Sequence, residues 1–312
     1  MNRALQVLLL LAAIVAIYLL PGGLKNYGIY ILTLWAVYVM AGMGLNLTVG
    51  YAGQISLGQA AFWGIGAYTT AIALKAGLPF FAALPMAALL CFAVGLLLGF
   101  PALRVQHHYL AFATLGFNVL VFLVIRNEDW LTGGTFGINN IPRPTLFGWQ
   151  IRTPIDFFHF TWIATVLLGV AMALLLRSPW GRAFAALRDN PIRAESVGID
   201  TTFYTLVAFA IGAAYAGIAG AFFAPLVGFI EPAPFGVSTS LSMLLMVIAG
   251  GSGRLFGPAL GAVVVVLLPE WLRFAAEWYL AIFGVLIVVM MVWLPGGLLS
   301  ISERWHTARA AK

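Results

Sequence analysis

LNLTVGYAGQISLGQAAFWG, residues Leu45–Gly64, is a polar and glycine-rich stretch inside a very apolar chain. Its polar side chains include those of Asn46, Thr48, Gln54, Ser56 and Gln59, and its glycines include Gly50, Gly53 and Gly58. Glycine inside a helix costs roughly 0.5–1 kcal/mol relative to alanine. The stretch therefore predicts a helix that breaks and fills the break with hydrogen-bonding groups.

The composition of the chain indicates a polytopic membrane protein. Apolar residues make up 62% of the 312 residues and charged residues only 8%, whereas a soluble domain carries about 25% charged residues. The single Cys91 excludes an intrachain disulfide, and its apolar surroundings indicate a buried hydrophobic residue. The N-terminus resembles a signal peptide but lacks a clear A-x-A cleavage site before Pro21, so we expect a retained first span.

Hydropathy divides the single membrane domain, residues 1–312, into about ten candidate spans of about 20 residues each. The ranges are 4–20, 29–47, 58–75, 81–100, 109–126, 160–177, 202–224, 237–250, 258–275 and 279–295. With the N-terminus inside, alternation puts 10 of the 16 basic residues inside and 6 outside. This agrees with the positive-inside rule and predicts that both termini are cytoplasmic.

A shift of 178 positions aligns two parts of the chain without a gap. Ala41-Gly42 falls on Ala219-Gly220, Val49-Gly50-Tyr51 on Val227-Gly228-Phe229, and Gly58 on Gly236. The predicted topology then contains two four-helix groups of opposite orientation, repeat 1 near 29–126 and repeat 2 near 202–295. Such inverted repeats are common in transporters. The fold expected is all-α, with inverted repeats and broken or re-entrant segments.

Each repeat contains a glycine-bearing interruption of a long helix, the first break near 48–58 and the second break near 226–236. Irregular backbone at membrane depth is tolerated only where it is buried in protein or lines a watery route. For the cluster of Asn46, Gln54, Ser56 and Gln59, two interpretations remain open and equally weighted. These side chains either line a translocation pathway or make structural hydrogen bonds.

Residue patterns for catalysis and cofactor binding are missing from the sequence. There is no H-E-x-x-H motif and no cysteine pair, so neither a metal nor another cofactor is expected. The GGSG at Gly250–Gly253 matches an intramembrane-protease motif, but no histidine lies mid-span to act as the base. No P-loop occurs, so any ATP hydrolysis belongs to a partner chain. No basic stripe alternates with aromatic residues, and nucleic acid is therefore not an expected partner.

The loop predicted on the inside, residues 178–201, combines charged residues with alanines. Pro191 separates two short candidate helices, and Gly198 is placed to end the second. The alternation of alanine and charge favours a helix that docks another chain. The alternative is a charged loop that only follows the positive-inside rule.

Five motifs in order resemble the M-type permease subunit of branched-chain amino acid ABC importers. They are GLNLTVGYAGQISLGQAAFWGIGAYTTA (44–71), LTGGTFGINNIPRP (131–144), SPWGRAFAALRDNPIRAESVGID (178–200), MVIAGGSGRLFGPALGA (246–262) and LPGGL (294–298). The resemblance implies a bacterial inner-membrane subunit that works with a second homologous permease, two cytoplasmic ATPases and a periplasmic substrate-binding protein.

The resemblance also implies roles for particular residues. Importers of this type couple to the ATPase through an E-A-A-x-x-x-G-like element, which Ala194-Glu195-Ser196-x-Gly198 matches loosely. The expected coupling residues are Arg188, Asp189, Arg193, Ala194, Glu195 and Gly198. The expected pathway residues are Asn46, Gln54, Ser56, Gln59, Asn118, Glu231 and Ser238.

Three functions are weighed on these observations. The first is a permease subunit, driven by a partner ATPase, for branched-chain or related amino acids. Related permeases of the resembled family carry urea, short amides, other amino acids or aromatic acids, and the motifs are much less specific for substrate than for the family, so the solute stays open. A standalone channel for a small neutral solute is the second function. The third, a membrane enzyme, lacks a catalytic constellation.

Overall fold

A computed structural model describes residues 12–102, 107–146, 149–271, 284–285 and 296–300. Most of the predicted tenth span, 279–295, lies outside the described residues, as does the C-terminal tail from residue 301.

The described chain is helical apart from two short strands. The helices are α1 (Ala12–Gly23), α2 (Asn26–Asn46), α3 (Gln59–Lys75), α4 (Phe80–Ala102), α5 (His107–Asn127), α6 (Asp129–Thr132), α7 (Pro154–Arg177), α8 (Pro179–Asp189), α9 (Pro191–Ser196), α10 (Thr201–Val227), α11 (Val237–Gly250), α12 (Gly257–Ala262) and α13 (Leu268–Trp271). The strands β1 (Thr145–Leu146) and β2 (Trp149–Gln150) pair antiparallel in the loop between α6 and α7.

Several helices have the length and apolarity of membrane spans. Five qualify among the described residues, namely Asn26–Tyr51, Phe80–Phe100, Leu110–Asn127, Pro154–Arg177 and Thr201–Val227. Three shorter apolar helices join them, Ala12–Gly23, Val237–Gly250 and Gly257–Trp271. The chain therefore has the architecture of a polytopic membrane protein, as the composition predicted.

Helix α10 occupies the centre and packs against α2, α3 and α4. Small residues permit these contacts. A side chain at Gly44 would collide with the backbone of Gly212, and one at Gly66 with the backbone of Gly217. Helix association in membranes depends on such close backbone approach, because lipid offers no hydrophobic driving force between helices.

The predicted interruption of the helix at Leu45–Gly64 is present. Helix α2 continues into a π-helical turn, Leu47–Tyr51, and residues 52–58 are not helical before α3 begins at Gln59. Helix α10 similarly ends at Gly228, whose φ of 73° is left-handed, and α11 starts after a stretch whose only helical part is the 3-10 turn Ala233–Phe235. From here on, the first break means residues 47–58 and the second break means residues 228–236, which are the bounds seen in the structure.

The 178–201 loop forms two helices, α8 and α9, as its sequence predicted. The side chains of Ser178, Asn190 and Asp200 cap α8, α9 and α10, each accepting a backbone N–H of the helix it precedes. Pro179 and Pro191 occupy first helical positions, where the missing N–H costs no hydrogen bond.

The end of α9 is a Schellman motif around Gly198. The N–H of Ile199 donates to the Ala194 carbonyl, and the N–H of Gly198 donates to the Glu195 carbonyl. Gly198 has φ +86°, the left-handed conformation that this motif requires. The glycine therefore stops the helix for the reason the sequence indicated.

Candidate functional site

The first break is held to a distant turn by the amide of Asn46. Its Oδ1 accepts the N–H of Gly253 at 2.8 Å, and its Nδ2 donates to the Arg254 carbonyl at 2.9 Å. Asn46 is buried, so both hydrogen bonds are sheltered from competing water. The residue predicted from its polarity thus joins α2 to the turn between α11 and α12.

Gln59, the first residue of α3, is a second cross-link between helices. Its Nε2 donates to the Ala41 carbonyl on α2 at 2.9 Å and to the Gly212 carbonyl on α10 at 3.4 Å. Both Gln59 and Asn46 therefore make hydrogen bonds between separate parts of the helix bundle, and lining of a pathway by these residues stays a prediction.

Two further predicted residues of the first break are also buried. The Ser56 hydroxyl accepts the N–H of Gly58 at 3.4 Å, a local turn that precedes α3. The backbone N–H of Gln54 donates to the Thr48 carbonyl at 2.9 Å, which continues the π-helical turn. The buried Gln54 side chain adds an amide to the interior of the break.

Asn118 on α5 is connected to the start of α3 by Ser240, a residue that the sequence analysis did not predict as part of the site. The Ser240 hydroxyl accepts the Ala60 N–H at 2.9 Å and the Asn118 Nδ2 at 3.3 Å. Asn118 is fully buried, and its Oδ1 has no hydrogen-bond partner among the described residues. The signal for Ser240 was its place in the polar run GVSTSLSM that follows the second break.

The remaining predicted pathway residues, Glu231 and Ser238, are exposed. They belong to the second break and the start of α11. That break is fixed by the loop after α6, because Ile138 and Ile230 exchange backbone hydrogen bonds at 2.9 and 3.1 Å. The N–H of Ile141 also donates to the Gly228 carbonyl at 3.0 Å.

The 178–201 loop places its apolar side chains against the first break. Phe184, Leu187 and Ala194 form one buried cluster with Leu47 and Ala52 of the break. Of the predicted coupling residues, Ala194 is thus buried. The others, Arg188, Asp189, Arg193, Glu195 and Gly198, are exposed.

The charged side chain of Arg188 connects the 178–201 loop to the first break. Its guanidinium Nη1 donates to the Gly50 carbonyl at 2.5 Å. Gly253 packs so closely here that a side chain on it would collide with the Arg188 guanidinium and the Gly50 carbonyl. Asn46, Gly50, Arg188, Gly253 and Arg254 therefore meet at one place, which we call the Gly50 junction.

The Gly50 junction extends to the end of the described chain. The Arg254 guanidinium donates to the Gly296 carbonyl at 2.7 Å, and the N–H of Leu298 donates to the Ala249 carbonyl at 2.8 Å. Four of the five sequence motifs, including LPGGL, thus converge on one end of the helix bundle. The remaining motif, LTGGTFGINNIPRP, contacts the second break through Ile138.

The structure combines apolar helices, two long helices that are interrupted, and a helical loop that packs on the first break. This combination defines the class of the molecule, a membrane transport protein. Residues 27–294 match the family described as branched-chain amino acid transport system, permease component. The chain belongs to this family of ABC importer permeases, which are transport subunits rather than enzymes, and it is a multi-pass membrane protein.

Individual curated relatives agree with the family. The chain is 38% identical to the high-affinity branched-chain amino acid transport system permease protein LivM of Salmonella typhimurium, over 96% of this chain and 76% of LivM. Its identity to LivM of Escherichia coli K12 is also 38%, with the same coverage. The autoinducer 2 import system permease protein LsrC of Escherichia coli O9:H4 is 28% identical, over 93% of this chain and 86% of LsrC. No solved structure matches the chain.

Proposed function

We propose that this chain is the permease subunit of an ABC importer that carries branched-chain or related amino acids across the bacterial inner membrane. The identity of 38% to LivM over 96% of the chain carries this proposal. The partners proposed are a second homologous permease, two cytoplasmic ATPases and a periplasmic binding protein. Since a P-loop is missing from the sequence, the energy comes from the ATPase chains.

The positions of the helices support the proposed inverted repeats. Helix α3 starts at Gln59 and α11 at Val237, which is the same offset of 178 residues that aligns the sequences. Helix α4 starts at Phe80 and α12 at Gly257, which differs from this offset by one residue. In both halves a long helix, a break, a shorter helix and a further helix follow each other.

The two breaks are the proposed borders of the translocation pathway. Buried polar groups in the first break, including the Gln54 amide, and the unpartnered Oδ1 of Asn118 support a route beside α3. Glu231 and Ser238 give the second break exposed polar side chains. Relative movement of the repeats would open the route alternately to either side.

The 178–201 loop is the proposed contact with an ATPase. Its apolar face is buried on the first break, so its other face is free to meet a partner. That face carries Ile192 and Val197, which are 80% and 74% exposed. Exposed apolar side chains flanked by charges, here Arg193 and Glu195, are typical of a protein contact. On this proposal the loop and both termini lie in the cytoplasm.

Uptake by the reconstituted importer tests the proposal. Liposomes would contain this permease with its partner permease and ATPases, and the binding protein would be added outside with radiolabelled leucine. We expect leucine accumulation that requires both ATP and the binding protein. No accumulation of leucine, isoleucine or valine, with uptake of urea, an amide or an aromatic acid instead, would assign the other solute class.

The channel function is tested by the same system without partners. Liposomes that contain this chain alone should be impermeable to the solute, because a lone permease is half of the proposed pathway. Leakage of the solute without partners or ATP would support a standalone channel.

A further inference from the structure

We propose that Arg188 is the positioning residue that links movement of the 178–201 loop to the first break, by holding the Gly50 carbonyl. The inference rests on the proposed function, since it assumes that the loop contacts an ATPase. It adds a defined atom-to-atom connection between that loop and the membrane helices.

Arg188 differs from the other arginines of the loop, all of which the structure describes. All three arginines are exposed, but for Arg182 on α8 and Arg193 on α9 no side-chain hydrogen bond to the helix bundle is found among the described residues. Arg188, in the last turn of α8, reaches across to the first break and donates to Gly50 at a sequence separation of 138 residues. A cation that only marked orientation would not need this contact.

The Gly50 carbonyl is a suitable acceptor because helix ends leave carbonyl groups without intrahelical partners. In the π-helical turn, the Leu47 carbonyl accepts the N–H of Ala52 and the Thr48 carbonyl accepts the N–H of Gln54. The Gly50 carbonyl instead accepts the guanidinium of Arg188. A hydrogen bond from a charged donor is roughly twice as strong as one between neutral groups.

The Gly50 junction also contains the turn between α11 and α12, which belongs to the proposed repeat 2. The N–H of Gly253 donates to Asn46 Oδ1, and a side chain at Gly50 would collide with the Gly253 backbone. The Gly50 junction therefore unites the loop, the break of repeat 1 and the α11–α12 turn of repeat 2. If the repeats move relative to each other, a displacement of α8 reaches both of them at this point.

The second break offers a contrast. The Gly228 carbonyl, 178 residues after Gly50, is also held from a long loop, but its donor is the backbone N–H of Ile141. A backbone donor is present whatever the side chain, unless the residue is proline, whereas the Gly50 contact depends on one side chain. The contact made by Arg188 can therefore be tested by replacing its side chain.

The test is the number of leucine molecules imported per ATP hydrolysed by the complete importer in liposomes. Arg188→Met removes the donor and keeps an unbranched side chain, and Arg182→Met on the same helix is the matched control. We expect Arg188→Met to hydrolyse ATP but to lower uptake per ATP roughly tenfold, the scale of one charge-assisted hydrogen bond. Arg188→Lys should restore part of the coupling, because lysine donates from a point charge and lacks the planar fork.

Unchanged uptake per ATP in Arg188→Met would overturn the role of Arg188, and so would an equal loss in Arg182→Met. Failure of the unmodified importer to accumulate leucine would instead count against the proposed function, so the two failures are distinguishable.

A distance measurement in the importer with native Arg188 covers the case in which Arg188→Met does not assemble. Spin labels at Ala185→Cys on α8 and Ile55→Cys in the first break, both exposed positions, report the separation of the two elements. A rigid link predicts the same distance with and without ATP. A shift of the distance on ATP binding would show that loop and break move independently, which would overturn the proposal.

Discussion

The Asn46 side chain serves as a cross-link because both ends of its amide find backbone partners in one turn. Its Oδ1 and Nδ2 pair with the amide N–H of Gly253 and the carbonyl of Arg254. Polarity alone made Asn46 conspicuous in the sequence. The identity of its partners, more than 200 residues away, was not readable, because a single sequence contains no signal for such a contact.

Asn46→Leu should destabilise the fold. Leucine keeps the volume but removes the partner of the Gly253 N–H and of the Arg254 carbonyl, both partly buried, which costs about 1–3 kcal/mol in total. The unfolding temperature of the purified protein in detergent should fall clearly. Ser238→Ala, at an exposed position, is the control and should leave it unchanged. Equal unfolding temperatures for Asn46→Leu and the unmodified protein would contradict the cross-link.

Gln54→Leu should separate transport from stability. The hydrogen bond from Gln54 to Thr48 uses the backbone N–H, so the substitution retains it. We expect a normal unfolding temperature and reduced ATP-dependent uptake, because an apolar side chain would replace the amide in the proposed pathway. Unchanged uptake and affinity would leave packing as the role of Gln54.

At the scale of elements, the helices of the 178–201 loop could be predicted better than the pathway residues, because the ends of those helices depend on local chemistry. Pro191 and Gly198 bound α9 for reasons that lie within a few residues of sequence. The docking of α8 on the first break requires Phe184 and Leu187 to meet Leu47, a tertiary contact. Exposure of Glu231 likewise follows from how the loop after α6 pairs with Ile230, which the sequence does not encode locally.

Gly198→Arg should abolish ATP-dependent uptake without preventing membrane insertion. At φ +86° a side chain costs about 1–2 kcal/mol, so the Schellman end of α9 should open. Open space surrounds this position, and a steric clash is therefore not the cause. Gly198→Asn is the control, because asparagine tolerates the left-handed region better than other residues. Normal uptake by Gly198→Arg would refute a coupling role for the end of α9.

At the scale of the whole molecule, the order of helices and the two breaks could be anticipated from hydropathy and the offset of 178 residues. Five apolar helices with the length of membrane spans form at five of the ten predicted spans, including Thr201–Val227. What hydropathy could not supply was the central place of α10. That place arises from glycines such as Gly212 and Gly217, whose packing partners are set only when the helices meet.

Cysteine accessibility tests the proposed orientation. The native Cys91 is buried, so it should contribute little background labelling. Phe136→Cys, at a site 83% exposed in the loop after α6, should react with a membrane-impermeant maleimide in spheroplasts. Val197→Cys on the 178–201 loop should react only in inverted vesicles. The reverse pattern would contradict cytoplasmic termini.

The contact of Gly44 with Gly212 has a mechanical consequence. Crossing angles between helices are normally fixed by side-chain ridges that sit in the grooves of the neighbour. At Gly44 and Gly212 the two backbones touch directly, and the side chains of Thr48 and Tyr215 pack beside them. Helices α2 and α10 therefore lie closer together than two ordinary side chains would allow, and an added methyl group at Gly44 would have to push the whole of one helix away from the other.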